Sequence, residues 1–197
     1  MNPLTDRSSH LIEAVVVGAS AGGVEALLKI FSHLRKGFSL PVLVVLHLPD
    51  ERDSQLAQVL RHRLAIPVEE ARDKQDILPG TLYVATPGYH LSIEADRSLS
   101  LSLEEPVHHS RPSIDVLFES AADVYGPRLL AVVLTGANSD GALGLARVKA
   151  LGGITVVQDP KEAQVCTMPE AALSLHEPDH ILTLQGIGQL LAGLEMN

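Results

Sequence analysis

The sequence predicts an α/β fold with a doubly wound, mostly parallel, Rossmann-like sheet and a β-hairpin insertion. Residues 14–17 and 42–46 are apolar runs rich in valine, which is typical of strands buried on both faces of a sheet. Between them, residues 23–34 place apolar side chains three and four positions apart, as one face of a helix requires. The same alternation of strands and helices resumes after residue 113, beyond a turn-rich interruption.

The remaining elements follow from the same patterns. Residues 54–64 have helical spacing, and residues 66–69 supply a third short strand. Residues 76–105 contain two Pro-Gly turns and an alternating segment at 99–103, which predicts an antiparallel hairpin region at the edge of the sheet. The later elements are predicted as a helix at 113–124, a strand at 129–134, a helix at 141–151, a strand at 154–157, a short helix at 169–174, a strand at 180–184 and a helix at 186–194.

Length and charge restrict the class of protein. With 197 residues, the chain predicts one domain with a core at about residues 14–194. Its 24 acidic and 15 basic residues give a net charge of -9, which would repel a phosphate backbone or an anionic bilayer surface. We therefore expect no nucleic-acid partner.

The cysteine content and the lengths of the apolar runs restrict the class of protein further. The single cysteine, Cys166, cannot form an internal disulfide, and no spacing around it matches a zinc site, so we expect neither metal nor cofactor. The apolar stretches at 40–48 and 129–134 are far shorter than the roughly 20 residues that cross a bilayer. Because residues 1–10 also lack the pattern of a secretory signal, we expect a cytoplasmic protein that is not inserted in a membrane.

The segment after the first strand is the first candidate site, because ligands of such sheets bind beyond the carboxyl ends of the strands. Residues 18–22 match the pattern G-x-S-x-G, which places the Ser20 hydroxyl on a sharp turn where the next helix's N–H groups, Ala21's among them, could hold an oxyanion. Two alternatives remain open. Ser20 could simply cap the helix, or the segment could be a degenerate dinucleotide fingerprint with Ser20 in place of the middle glycine.

A base and an acid follow two other strands. His47 ends the second strand, which lies beside the first if the crossover is right-handed, so its imidazole could accept the Ser20 proton. Asp140 follows the strand at 129–134 and could accept the Nδ1 proton of His47, or could only cap the next helix. These three residues make a candidate Ser-His-Asp triad.

Several motifs in order resemble the catalytic domain of the CheB family, the chemotaxis protein-glutamate methylesterases. The motifs are Gly18-Ala19-Ser20-Ala21-Gly22-Gly23, His47-Leu48-Pro49, Leu78-Pro79-Gly80, the run from Arg111-Pro112-Ser113 to Phe118, Leu134-Thr135-Gly136, Asp140-Gly141-Ala142 and Met168-Pro169. The resemblance implies that Ser20 is the nucleophile, His47 the base and Asp140 its orienter. It also implies hydrolysis of glutamate methyl esters on the cytoplasmic domain of a chemoreceptor, with deamidation of receptor glutamines as a sister activity.

The sequence departs from the family pattern in two places near the triad. Ala21 stands where members often have threonine, and Ala137-Asn138 stand where they have Met-Gly, in a loop that helps to hold the oxyanion. Backbone N–H groups do this work, so we expect Ala21 and Ala137 to supply it. Arg111 is expected to contact substrate, although pairing with a surface acid is the simpler alternative.

The family's regulated form carries an N-terminal phospho-receiver domain, and residues 1–13 are too few for one. We therefore expect a lone catalytic domain at 1–197 without intramolecular control by phosphorylation. A catalytically silent binding module of the same fold, acting in signalling, remains the alternative function.

Overall fold

The computed structural model describes residues 11–47 and 55–194, and within these ranges the chain forms nine strands and six α-helices. The strands are β1 (Ala14–Ala19), β2 (Val42–Leu46), β3 (Val68–Glu70), β4 (Leu82–Val84), β5 (His90–Ile93), β6 (Leu99–Ser102), β7 (Leu129–Val133), β8 (Ile154–Gln158) and β9 (His180–Leu182). The helices are α1 (Gly23–Phe31), α2 (Leu56–Arg63), α3 (Ile114–Tyr125), α4 (Ala142–Ala150), α5 (Thr167–Leu175) and α6 (Leu184–Gly193).

Seven of the strands form one parallel sheet in the order β3-β4-β2-β1-β7-β8-β9. The chain builds the sheet outward from β1 on one side and then returns to the other side of β1 with β7. The strand order therefore reverses at β1, and a crevice opens beyond the carboxyl ends of the strands around it. This is the doubly wound fold that the sequence predicts.

Helices cover both faces of the sheet, which explains why its central strands are apolar at every position. The side chains of β1, β2 and β7 are buried throughout. One hydrophobic core lies between the sheet and α1, α2 and α6, and the other lies between the sheet and α3, α4 and α5, with the β5–β6 pair added to it. A strand with a core on each side has no polar face to alternate with.

The prediction for residues 76–105 is right about the hairpin and wrong about its place. Strands β5 and β6 form a separate antiparallel pair that packs on α3, where the Ile93 N–H donates to Ser120 Oγ at 3.1 Å. Strand β4 lies in the same predicted segment but inserts into the parallel sheet between β2 and β3. Its three residues are too few to show a period, so the pattern alone could not separate β4 from the hairpin.

Other differences concern the ends of elements. Helix α6 begins at Leu184 rather than 186, because the Thr183 hydroxyl accepts the Gly186 N–H at 3.2 Å and caps the helix there. Helix α1 ends at Phe31, three residues before its predicted end. The predicted start of α2 at Ser54, and Leu48-Pro49 after His47, lie outside the described residues.

Candidate active site

Ser20 lies at the carboxyl end of β1, between the ends of its two neighbouring strands. Its N–H donates to the Thr135 carbonyl beyond β7 at 2.9 Å, and the N–H of His47 beyond β2 donates to the Ala19 carbonyl at 3.0 Å. The register of the parallel pairs places Ala19 opposite Leu46. Sheet hydrogen bonding therefore brings Ser20, His47 and Thr135 side by side at one edge.

The turn after Ser20 does not use the serine as a helix cap. Helix α1 begins at Gly23, its N-cap is Gly22 at φ +79°, and no side chain caps it. A Cβ at Gly22 would lie 2.9 Å from Gln164 Cβ, so both the backbone conformation and the space favour glycine there. The capping interpretation of Ser20 is wrong, and its hydroxyl remains available for chemistry.

An open pocket of about 340 Å³ lies at this edge of the sheet. It is lined by Ser20, Ala21, Gly22, Gly23, Val24, Glu25, Leu46 and His47. The predicted nucleophile and the predicted base thus face one space. In the part of the chain that the structure describes, the N–H groups of the exposed residues Ala21 and Ala137 donate to no backbone or side-chain acceptor, which leaves both available to an oxyanion.

His47 and Asp140 form a short hydrogen bond, but through the other ring nitrogen than expected. His47 Nε2 lies 2.8 Å from Asp140 Oδ2, so the expectation that Nδ1 faces the carboxylate is wrong. Strand β1 separates β2 from β7, so the imidazole must reach across the width of a strand. Its distal nitrogen Nε2 therefore meets Asp140, which leaves Nδ1 free of the carboxylate.

Asp140 is fully buried and accepts four hydrogen bonds. Besides His47, the donors are Ser113 Oγ at 2.8 Å and the N–H groups of Ile114 and Asp115 at 2.7 and 3.0 Å. Burial alone would raise the pKa of Asp140, but these donors, His47 foremost, hold its pKa below the ordinary value. The carboxylate is therefore charged and fixed in place.

Asp140 caps a helix, but not the one that the sequence suggests. The N-cap of α4 is Gly141 and carries no side-chain cap, whereas Asp140 receives the first two N–H groups of α3. The N-terminus of α3 reaches Asp140 by crossing close over the sheet, where the Ile114 side chain packs directly on Gly18. Asp140 thus combines the positive end of α3 with the imidazole of His47.

Asp115, in the first turn of α3, caps helix α4 in turn. Its Oδ1 accepts the Gly144 N–H in the first turn of α4 at 2.6 Å, while Oδ2 has His108 Nε2 at 3.2 Å and is buried without a hydrogen bond. Burial, helped by the nearby charge of Asp140, raises the pKa of Asp115 to about 6, while the Gly144 N–H and His108 act in the opposite direction. The helices α3 and α4 therefore exchange capping carboxylates.

Three residues in contact with the candidate site escaped the sequence reasoning. Ser113 caps α3 and donates to Asp140; Thr135 Oγ1 donates to the Ala21 carbonyl at 2.8 Å and fixes the turn after Ser20; Asn138 lies against His47. Ser113 and Thr135 belong to recognised motifs, so their position signalled importance without showing which contact they make. Asn138 was visible only as a departure from the family pattern.

Arg111, the predicted substrate contact, is tied to the main chain. Its Nη1 donates to the carbonyls of Leu103 and Glu104 at 3.1 and 3.0 Å, which fastens the segment after β6 to the start of α3. A role in substrate binding stays a prediction.

Two further features concern the described residues only. Among them, no group of three or more His, Cys, Asp or Glu side chains is arranged to hold a metal ion. None of the helices that the structure describes combines the length and the apolar character needed to cross a membrane.

Comparison with known proteins gives a consistent result. The model of the CheB methylesterase family matches residues 15–191. The chain is 34% identical over 192 residues to the protein-glutamate methylesterase/protein-glutamine glutaminase of Clostridium acetobutylicum, covering 95% of this chain and 56% of that protein. A Leptospira interrogans protein, provisionally named for the same two activities, is 44% identical over 185 residues, covering 94% of this chain and 96% of that protein.

The fold has a solved counterpart as well. The crystal structure of the Thermotoga maritima CheB methylesterase catalytic domain superposes with a TM-score of 0.88 at 31% identity, covering 93% of this chain and 98% of that one. The chain thus spans nearly all of the Thermotoga domain and of the Leptospira protein, and about half of the Clostridium protein.

Proposed function

The chain belongs to the CheB methylesterase family, and from that premise we propose that it hydrolyses glutamate methyl esters on the cytoplasmic domain of a chemoreceptor. One observation carries the proposal: the buried Asp140 carboxylate holds His47 by a 2.8 Å hydrogen bond at the strand end beside Ser20. This is the arrangement in which a histidine can activate a serine. The relatives' names, protein-glutamate methylesterase/protein-glutamine glutaminase, supply the substrate class.

In the first half of the reaction, Ser20 Oγ attacks the ester carbonyl as its proton passes to His47 Nδ1. The N–H groups of Ala21 and Ala137 stabilise the oxyanion of the tetrahedral intermediate. Asp140 stabilises the imidazolium through Nε2–H. When the intermediate collapses, the C–O bond to the methoxy group breaks, Nδ1–H protonates the leaving group, and methanol departs.

In the second half, His47 Nδ1 takes a proton from water, which attacks the glutamyl ester of Ser20. Collapse breaks the bond to Oγ, the serine regains its proton from Nδ1, and the product leaves as a carboxylic acid that loses its proton to solvent to become glutamate. A receptor glutamine would form the same acyl-enzyme with ammonia as the leaving group. Deamidation therefore belongs to the proposal as a second activity of one site.

The rest of the site agrees with a substrate that is a protein side chain. The pocket is open to solvent, so it can admit a side chain presented on another protein's surface. The apolar side chain of Val24 lines it. The cytoplasmic location, and a catalytic domain that works without a receiver domain, stay predictions.

The test compares the protein with its Ser20→Ala variant. The assay is methanol release from membranes that carry methylated chemoreceptors, with a known methylesterase as positive control. We expect S20A to lose roughly a thousandfold or more of the rate, because it removes the nucleophile. Ser174→Ala is the matched control, since the Ser174 hydroxyl is exposed and bonds only within α5, to the Ala171 carbonyl.

Two results would contradict the proposal. Equal release by S20A and the unmodified protein would rule out Ser20 as the nucleophile. If the control enzyme releases methanol and this protein does not, the silent binding module becomes the better description.

A further inference from the structure

The base nitrogen of His47 has a neighbour that the triad does not account for. Asn138 Nδ2 lies 3.5 Å from His47 Nδ1 and 3.5 Å from Ser110 Oγ. The other end of the same amide is held, because Asn138 Oδ1 accepts the Asp140 N–H at 3.2 Å. The amide is therefore oriented with its NH₂ group toward the imidazole.

The hydrogen-bonding chemistry of Asp140, Asn138 and His47 defines one protonation state of the imidazole. Asp140 is ionised and can only accept, so His47 Nε2 carries the proton of the neutral imidazole. The lone pair is then on Nδ1. An amide nitrogen can only donate, so it fits an unprotonated Nδ1 and opposes a protonated one.

We propose that Asn138 is a positioning residue that keeps His47 with its Nδ1 lone pair free for the Ser20 proton. The inference rests on the proposed function of His47 as the base. At 3.5 Å the contact is at the long end of hydrogen-bond distances, so the Ser20 hydroxyl can displace it when substrate arrives. Asp140 and Asn138, two residues apart on one loop, thus determine which nitrogen of the His47 ring carries the proton.

The proposal predicts how pH dependence changes with residue 138. The titratable groups to consider are Asp140 at Nε2, Glu25 of α1, which lines the same pocket, and His108 and His109 in the turn that carries Ser110. Without the amide donor, Nδ1 binds a proton more readily. The acidic limb of kcat/KM should therefore move to higher pH.

Three variants and two measurements test this. Asn138→Ala removes the donor and should raise the midpoint of the acidic limb by about half a unit. Asn138→Asp places an acceptor against Nδ1 and should raise it by about 1–3 units. Ser139→Asp is the matched control, because it adds the same charge at the neighbouring position, where the residue is exposed.

The second measurement needs no substrate. Nitrogen-15 NMR of the imidazoles, with the His47 signals identified by their loss in His47→Gln, reports which ring nitrogen carries the proton. We expect a proton on Nε2 alone at pH 8 in the unmodified protein. In N138D the doubly protonated ring should persist to higher pH than in S139D.

The outcomes separate the two proposals. The role of Asn138 is wrong if the midpoint of the acidic limb shifts equally in N138D and S139D. It is also wrong if that midpoint does not shift in N138A and N138D. A proton found on Nδ1 at pH 8 in the unmodified protein would overturn it as well. If neither the unmodified protein nor any variant releases methanol, but the ring of His47 stays doubly protonated to higher pH in N138D than in S139D, the role of Asn138 stands and the proposed substrate is wrong.

Discussion

The pKa values of two aspartates at the N-termini of adjacent helices are shifted in opposite directions. Asp140 caps α3 and Asp115 caps α4, and both are almost completely buried. The pKa of Asp140 lies below its ordinary value, whereas the pKa of Asp115 is raised to about 6. Burial and residue type are the same, so neither explains the difference.

The difference lies in how many donors reach each carboxylate. Asp140 accepts four hydrogen bonds, which outweigh the cost of burial. Asp115 accepts one at Oδ1 and leaves Oδ2 buried without a hydrogen bond. A helix N-terminus by itself therefore does not guarantee a stable charge; the number of donors decides.

This contrast separates the carboxylate of the candidate triad from one that only stabilises the fold. In the proposed mechanism the charge of Asp140 persists while an imidazolium forms beside it, and its four donors stabilise that charge. Asp115 needs only an oxygen for the Gly144 N–H, which a neutral acid supplies equally well.

The largest expected effect comes from Asp140→Asn. The amide removes the charge beside His47 and turns one oxygen into a donor that faces other donors. We expect the rate of methanol release to fall by about 10⁴-fold, as in other triads whose aspartate becomes asparagine. The free energy of unfolding in urea should drop by about 2–4 kcal/mol.

The stability loss in D140N should also depend on pH. Because the pKa of Asp140 is lowered by folding, its stabilising charge is present above the ordinary value of 3.8 and is lost as pH falls through the folded pKa. The difference from the unmodified protein should therefore shrink in acid. A constant difference would mean that geometry, rather than charge, is what the substitution removes.

Asp115→Asn should have a smaller effect of the opposite sign. Folding raises the pKa of Asp115 from 3.8 to about 6, so the folded state binds more protons between these values and the free energy of unfolding falls as pH rises through that window. Asparagine avoids the buried charge and still accepts from Gly144. Urea unfolding at pH 8 should show a gain on the order of 2–3 kcal/mol that narrows at pH 5. A loss at pH 8 would show that the charge of Asp115 stabilises α4.

The smallest effect is expected from Ser113→Ala, which removes one of the four donors to Asp140 and the N-cap of α3. We expect a loss of about 1–2 kcal/mol in unfolding free energy and less than about tenfold in methanol release. Thr183→Ala, at the cap of α6, is the control, with a similar stability loss and unchanged activity. If both variants lose activity equally, the donor to Asp140 contributes nothing specific.

Much of the fold could be predicted from local pattern. The apolar runs of β1, β2 and β7 identify strands buried on both faces, and their βαβ connections predict a parallel sheet. Strand β4 escaped because three residues carry no period, and its place is decided by pairing with strands distant in sequence. The position of the β5–β6 hairpin likewise depends on its packing against α3.

The candidate site divides in the same way. Ser20, His47 and Asp140 could be proposed because each follows a strand, and parallel strands bring their carboxyl ends to one edge. The ring nitrogen that meets Asp140 could not be predicted, because it depends on the width of β1 between His47 and Asp140. The capping partner of Asp140 was also hidden, since α3 lies 26 residues earlier and approaches only through the Gly18 and Ile114 contact.

The sequence by itself determined the residue types, the strand ends that carry them and, through resemblance, the family. The tertiary structure alone decided which helix each aspartate caps, which nitrogen of His47 meets Asp140 and which side chain faces the other nitrogen. The physical reason is that periodicity and turn chemistry act within a few residues along the chain. Hydrogen bonds to a buried carboxylate, in contrast, come from whichever donors the folded chain brings near it.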